Sequence, residues 1–191
     1  MLHKKSGYLK LFLTIIAAFS FSPLSSLAVV ISTTDTDLLL KALSSGNGSN
    51  AYYYGADSAI GTFTNELGSL PFSHGIVIST GDTESYSLRE NLSSHTTTSF
   101  KAPGYAPLTE LAGIPTHDAA RFGFDFQSTS NKVSFDFVFG SEEYPEYVGS
   151  SFNDVFGIYI TDENGKVVQI AKDNSGQRIT VNSAFMKDGE I

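Results

Sequence analysis

Val133–Ile160 reads VSFDFVFGSEEYPEYVGSSFNDVFGIYI, and the fold class follows from it. Val133, Phe135, Phe137 and Phe139 alternate with Ser134 and Asp136, so a strand here would carry one apolar and one polar face. Just upstream, Phe122, Phe124 and Phe126 alternate with Arg121, Gly123 and Asp125. Residues 128–131 lie between the two runs and have turn composition. Period two held over neighbouring segments predicts an antiparallel hairpin with one buried side. Asp154–Ile160 is the next expected strand, and Gly140–Asn153 forms an acidic, aromatic loop before it. Pro145 keeps that loop out of any central strand.

The same punctuation continues outward. Asp162-Glu163-Asn164-Gly165 is a hairpin turn, Lys166–Ala171 returns, residues 173–176 turn again, and Arg178–Val181 starts a last strand. Toward the N-terminus, Ala51–Tyr54, Ala59–Phe63 and His74–Thr80 are short apolar runs bounded by glycines. Thr34–Ser45 is the one expected helix. Asp35 and Asp37 suit its first turn, Leu38, Leu39, Ala42 and Leu43 repeat at helical spacing, and Gly46-Asn47-Gly48 stops it. Gly81–Pro107 is polar and aperiodic, long for a loop in a compact domain. The pattern predicts a mainly β fold, an antiparallel β-sandwich of jelly-roll type with a short N-terminal helix. The tail after Val181 reads as unfinished, leaving a sheet edge to be covered.

The 191 residues include 15 Phe, 9 Tyr and no Trp, a composition that favours sheet. The absence of cysteine excludes disulfides, thiolate metal sites and a Cys nucleophile. Residues 1–28 have the organisation of a secretory leader. His3, Lys4, Lys5 and Lys10 form a basic start, Leu11–Phe21 is apolar but too short for a stable membrane span, and Ser26-Leu27-Ala28 supplies a cleavage signal. The expected division is therefore a leader at 1–28 and a β-domain at 29–191, secreted or held at the cell surface. The leader carries three lysines and no acid, so its removal makes a chain already at net charge −8 more acidic by three. Such a surface disfavours nucleic acid and anionic membranes and suits a cation, a glycan or a surface protein as partner.

Function concentrates on the 140–154 loop, where several readings stand side by side. Oxygen ligands from Glu142, Glu143, Asn153 and Asp154 suit a hard cation such as calcium, although no EF-hand run is present. Tyr144 and Tyr147 suit a glycan or peptide face, with carboxylates accepting from hydroxyls. A glycoside hydrolase would need two carboxyls roughly 5–9 Å apart across a bond. Adjacent Glu142 and Glu143 diverge if extended, which leaves a pair such as Glu143 with Asp154. Against these stands a structural lock, in which a glutamate accepts backbone N–H groups and pins the loop. Elsewhere there is no HExxH, GxSxG, GxGxxG or P-loop motif, and His117-Asp118 reads as a turn. The expectation is a binding or adhesion-type module rather than an enzyme, with no assured cofactor.

FDFVFGSEEYPEYVGSSFNDVFGIYI resembles the choice-of-anchor L domain of exported bacterial proteins. AIGTF at Ala59–Phe63, GIVISTG at Gly75–Gly81, THDAARFGFDF at Thr116–Phe126 and ITVNS at Ile179–Ser183 match in order, so the resemblance covers roughly residues 36–183. It implies an exported or surface-attached domain and transfers no catalytic residue. Members usually continue with further β-structure and a varied C-terminal anchor. Here Asp188-Gly189 only begins such a continuation, and no apolar anchor, Pro-Glu-Pro signal or sorting tail follows, so the chain reads as truncated or freely secreted. Asp162-Glu163-Asn164-Gly165 stands where members usually have glycine-proline.

Overall fold

Asp35 opens the first helix. Its carboxylate accepts the N–H groups of Asp37 and Leu38 at 3.0 and 3.1 Å, satisfying two donors that the first turn would otherwise leave orphaned. The helix is one element of a computed structural model that describes residues 9–14, 28–43, 48–65, 70–86, 98–128, 133–143, 146–173 and 175–183. In chain order its elements are β1 (Leu9–Thr14), β2 (Ala28–Ser32), α1 (Thr36–Leu43), β3 (Gly48–Tyr54), β4 (Ile60–Asn65), β5 (His74–Ile78), α2 (Ala106–Ala112), β6 (Arg121–Phe126), β7 (Val155–Thr161), β8 (Val167–Gln169) and β9 (Ile179–Thr180). Single 3-10 turns lie at Asp57–Ala59 and Thr83–Tyr86. The mainly β, antiparallel architecture agrees with the sequence expectation.

The strands form two sheets. β2-β4-β5 is a three-stranded sheet, and β3-β6-β1-β7-β8 is the path of a six-stranded one whose remaining strand, β9, also pairs with β7. Every pairing is antiparallel. The larger of two hydrophobic clusters among the described residues joins the sheets. Ile60, Ile76 and Ile78 from one meet Phe122, Phe124, Phe156 and Ile158 from the other, with Leu39 and Leu40 of α1 closing the side. The sequence placed Leu38 on the buried face of α1, but it is exposed and Leu40 is buried in its place. Leu40 has a fixed neighbour in β3: a methyl group on Gly48 would sit 2.5 Å from its Cδ1.

β6 behaves as its alternation predicts. Phe122 and Phe124 are buried, and their rings and that of Phe126 follow one another at 5.9 and 6.1 Å. On its other face, the Arg121 guanidinium lies between the rings of Tyr54 and Tyr105, at 4.6 and 4.0 Å from their centroids. That contact joins β3 and β6 to the chain entering α2.

Two expectations fail. Val133–Phe139 is not a strand, and β6 does not form a hairpin with it; the neighbours of β6 are β3 and β1. The reason is steric. Leu9–Thr14 occupies the space between β6 and β7, with Leu11 opposite Phe124 on one side and Ile160 on the other. Phe135, Phe137 and Phe139 still pack against the core from an irregular backbone, and Phe137 meets Phe156 at 4.7 Å between centroids. β1 falls within the segment read as a leader; residues 1–8 and 15–27 lie outside the described residues.

The second failure is α2, which begins at the end of a stretch read as structureless. Pro107 looks like a helix breaker, but it lies in the first turn of α2, where its missing N–H costs nothing. Leu108 is fully buried beside Val155 and Tyr159, the Tyr159 hydroxyl donates to the Pro107 carbonyl at 3.0 Å, and Gly113 closes the helix in the left-handed region at φ 78°.

Candidate functional site

Ser141 organises the acidic loop. It is 2% exposed and follows Gly140 at the end of the aromatic segment. Its hydroxyl donates to Asp154 Oδ2 at 2.6 Å and accepts the Glu143 N–H at 3.0 Å. The chain then turns, with Tyr147 N–H donating to the Glu143 carbonyl at 2.8 Å and Ser150 N–H to the Tyr147 carbonyl at 2.9 Å. Asp154 reaches back through its backbone: its N–H donates to the Glu143 carboxylate, and its carbonyl accepts the Val181 N–H at 3.0 Å. One hydroxyl and two carboxylates thereby join the start of the loop to the start of β7.

The carboxyls are perturbed together. Burial pushes Glu143 up from 4.5 to about 7; the Asp154 charge adds to this and the Asp154 N–H opposes it. Burial also raises Asp154, against the Ser141 hydrogen bond and with help from the Glu142 charge. Near neutral pH the Glu143 carboxyl therefore retains a proton part of the time. Glu143 Oε2 is buried and has no hydrogen-bond partner among the described residues.

Asn153 faces elsewhere. Its Nδ2 donates to the Ala112 carbonyl at 3.0 Å, and its Oδ1 accepts the Asn182 N–H at 3.0 Å. Asn182 in turn holds the outer part of the loop: its Oδ1 accepts the Gly149 N–H, and its Nδ2 donates to the carbonyls of Ser150 and Phe152 at 3.2 and 3.1 Å. Gly149 has φ 85°, which explains a glycine at that turn. Arg178 Nη1 donates to the Leu111 carbonyl at 2.5 Å, so α2 ends against side chains from residues 153 and 178.

Of the four oxygen-bearing residues singled out in sequence, Glu143 and Asp154 are brought into contact, Glu142 acts on Asp154 through its charge, and Asn153 engages two backbone groups. Among the described residues, no three His, Asp or Glu side chains are grouped to hold a metal ion. Tyr147 is half-buried and meets Phe152 edge-on at 5.3 Å, and Phe152 is exposed. Tyr144 lies outside the described residues. Ser141 and Asn182 were missed as site residues. Ser141 stands beside the glutamates, and Asn182 lies within ITVNS, but neither has a side chain that announces a reaction. His117 forms an isolated antiparallel bridge with Pro103, and Asp118, with φ 51°, accepts the Ala102 N–H on Oδ1 at 2.6 Å.

Among the described residues, no helix is long and apolar enough to cross a membrane. No curated protein and no solved structure matches the chain. The sequence profile of the Choice-of-anchor L domain matches residues 28–189, a span that includes the acidic loop, β7 and the Asn182 clamp. The chain therefore belongs to the choice-of-anchor L family of surface-associated bacterial domains.

Proposed function

We propose that the chain is an exported precursor whose residues from about Val29 onward form a non-enzymatic surface module, with the 140–154 loop as a rigid polar lock under a binding face. The observation that carries this reading is where the loop's polar side chains go. Ser141, Asn153 and Asn182 hydrogen-bond to the loop itself, to α2 and to residue 182, an arrangement that holds a backbone in place. Export is supported by the family match, which begins at residue 28, where the leader reading ends. Tyr147 and Phe152, on the outer side of the lock, are the aromatic pair for a glycan or a surface protein. The test is N-terminal sequencing of the product from a bacterial host, together with protease shaving of intact cells. The expected product begins near Val29 and is outside the cytoplasm. A cytoplasmic product that keeps Met1 overturns the reading.

One observation favours a second reading, a calcium-assisted loop: Glu143 Oε2 is buried beside Asp154 without a hydrogen-bond partner among the described residues. At pH 8, above the value of about 7 to which Glu143 is raised, millimolar calcium should raise the melting midpoint if the carboxylates bind it. An unchanged midpoint removes calcium from the account.

A further inference from the structure

The space between β6 and β7 has two claimants in the same chain. β6 and β7 are both antiparallel to β1, so the strand between them must run opposite to both. Val133–Phe139 meets that requirement. Residues 127–132 separate it from β6, enough chain for a hairpin connection, and residues 140–154 separate it from β7, enough for a second reversal. Its alternation also fits. Val133, Phe135, Phe137 and Phe139 would join the face formed by Phe122, Phe124, Phe156 and Ile158. The segment is already beside the space, with the Phe137 and Phe139 rings 4.7 and 6.4 Å from that of Phe156.

Three further observations separate the claimants. Among the described residues, none of 133–139 takes part in a backbone–backbone hydrogen bond, although Phe135, Phe137 and Phe139 are partly buried. Backbone groups of an apolar segment outside any ladder gain hydrogen bonds in a rearrangement that pairs them. The family match covers 133–139 and excludes Leu9–Thr14. Consecutive strands also pair more readily than strands more than a hundred residues apart, because less chain has to be closed.

We propose that the leader strand and Val133–Phe139 are alternative occupants of this position. Leu9–Thr14 holds it in the precursor, and removal of residues 1–28 lets Val133–Phe139 move in, with Phe135 replacing Leu11 between Phe124 and Ile160. The mature sheet then runs β3-β6-(133–139)-β7-β8, and the acidic loop is anchored to a strand at each end. The device delays final strand pairing until export is complete. It rests on the leader reading, but its test uses chains made to start at Met1 or at Val29 and so does not depend on processing.

The chain has no cysteine, so engineered pairs report cleanly. Directly opposed residues of antiparallel strands fall within disulfide reach. Leu11→Cys with Phe124→Cys should cross-link in the chain from Met1. Phe135→Cys with Phe124→Cys should cross-link at least tenfold more in the chain from Val29 than in the chain from Met1. Equal cross-linking of the second pair in both chains, or none in a folded chain from Val29, overturns the proposal. Hydrogen exchange on the unsubstituted chain from Val29 provides a check free of mutations: amides of 133–139 should exchange at least a hundredfold more slowly than in the chain from Met1. Unchanged exchange there, or a chain from Val29 that folds only when a peptide of residues 1–28 is added, also overturns it.

Discussion

β6 and Val133–Phe139 carry nearly the same pattern, three phenylalanines at alternate positions, and have different backbones. Phe122 and Phe124 of β6 are buried in a paired strand, whereas Phe135, Phe137 and Phe139 are partly buried on an irregular segment. Alternation therefore decides which side chains turn inward. Whether the backbone becomes a strand depends on a vacant neighbour to pair with, and in the full chain Leu9–Thr14 has taken that place.

The largest test of this contrast is Phe122→Ala against Phe137→Ala. Phe122→Ala should cost about 3–5 kcal/mol in denaturant unfolding of either chain, as for a fully buried ring. Phe137→Ala should cost clearly less in the chain from Met1 and approach the same loss in the chain from Val29. Equal losses in the chain from Met1 would erase the distinction between the two rows. Next in size is Ser141→Ala, which removes a hydroxyl that serves both Asp154 and the Glu143 N–H; a loss of about 1–3 kcal/mol is expected by the same measurement.

A pH series gives a smaller effect of known sign. The folded state raises Glu143 from 4.5 to about 7, so the native chain binds more protons than the unfolded chain between those values. This contribution to stability is complete below about 4.5 and is lost as pH rises through about 7. Melting followed from pH 5 to pH 8 should fall by about 2–4 °C from this source, allowing for the solvent that still reaches the site, and Glu143→Gln should flatten the slope. An unchanged slope in that variant would place the proton elsewhere. The smallest effect belongs to Val133→Thr. Val133 is exposed at the start of the irregular row, and the change should stay within about 0.5 kcal/mol in the chain from Met1.

Much of this was legible in the chain. β4, β5, β6 and β7 announce themselves by apolar residues between glycine and asparagine turns, and α1 by Asp35 and its leucines. Three features were hidden for physical reasons. α2 is short and begins at a proline, so local composition suggested a loop while the buried Leu108 made it a helix. The partner of β6 depends on which of two distant segments arrives, which a period-two pattern does not encode. In the acidic loop, the carboxylates were visible, but Ser141 and Asn182, which position it, are common polar residues whose roles come from contacts up to 33 positions away.

The closure of α2 has a dynamic consequence. At seven residues this helix is too short to persist alone, and its last carbonyls are held by Asn153 and Arg178. Its amides should therefore open together with β7 and β9 as one cooperative unit, so that loosening Asn153 in the loop would be felt as faster exchange in a helix forty positions earlier.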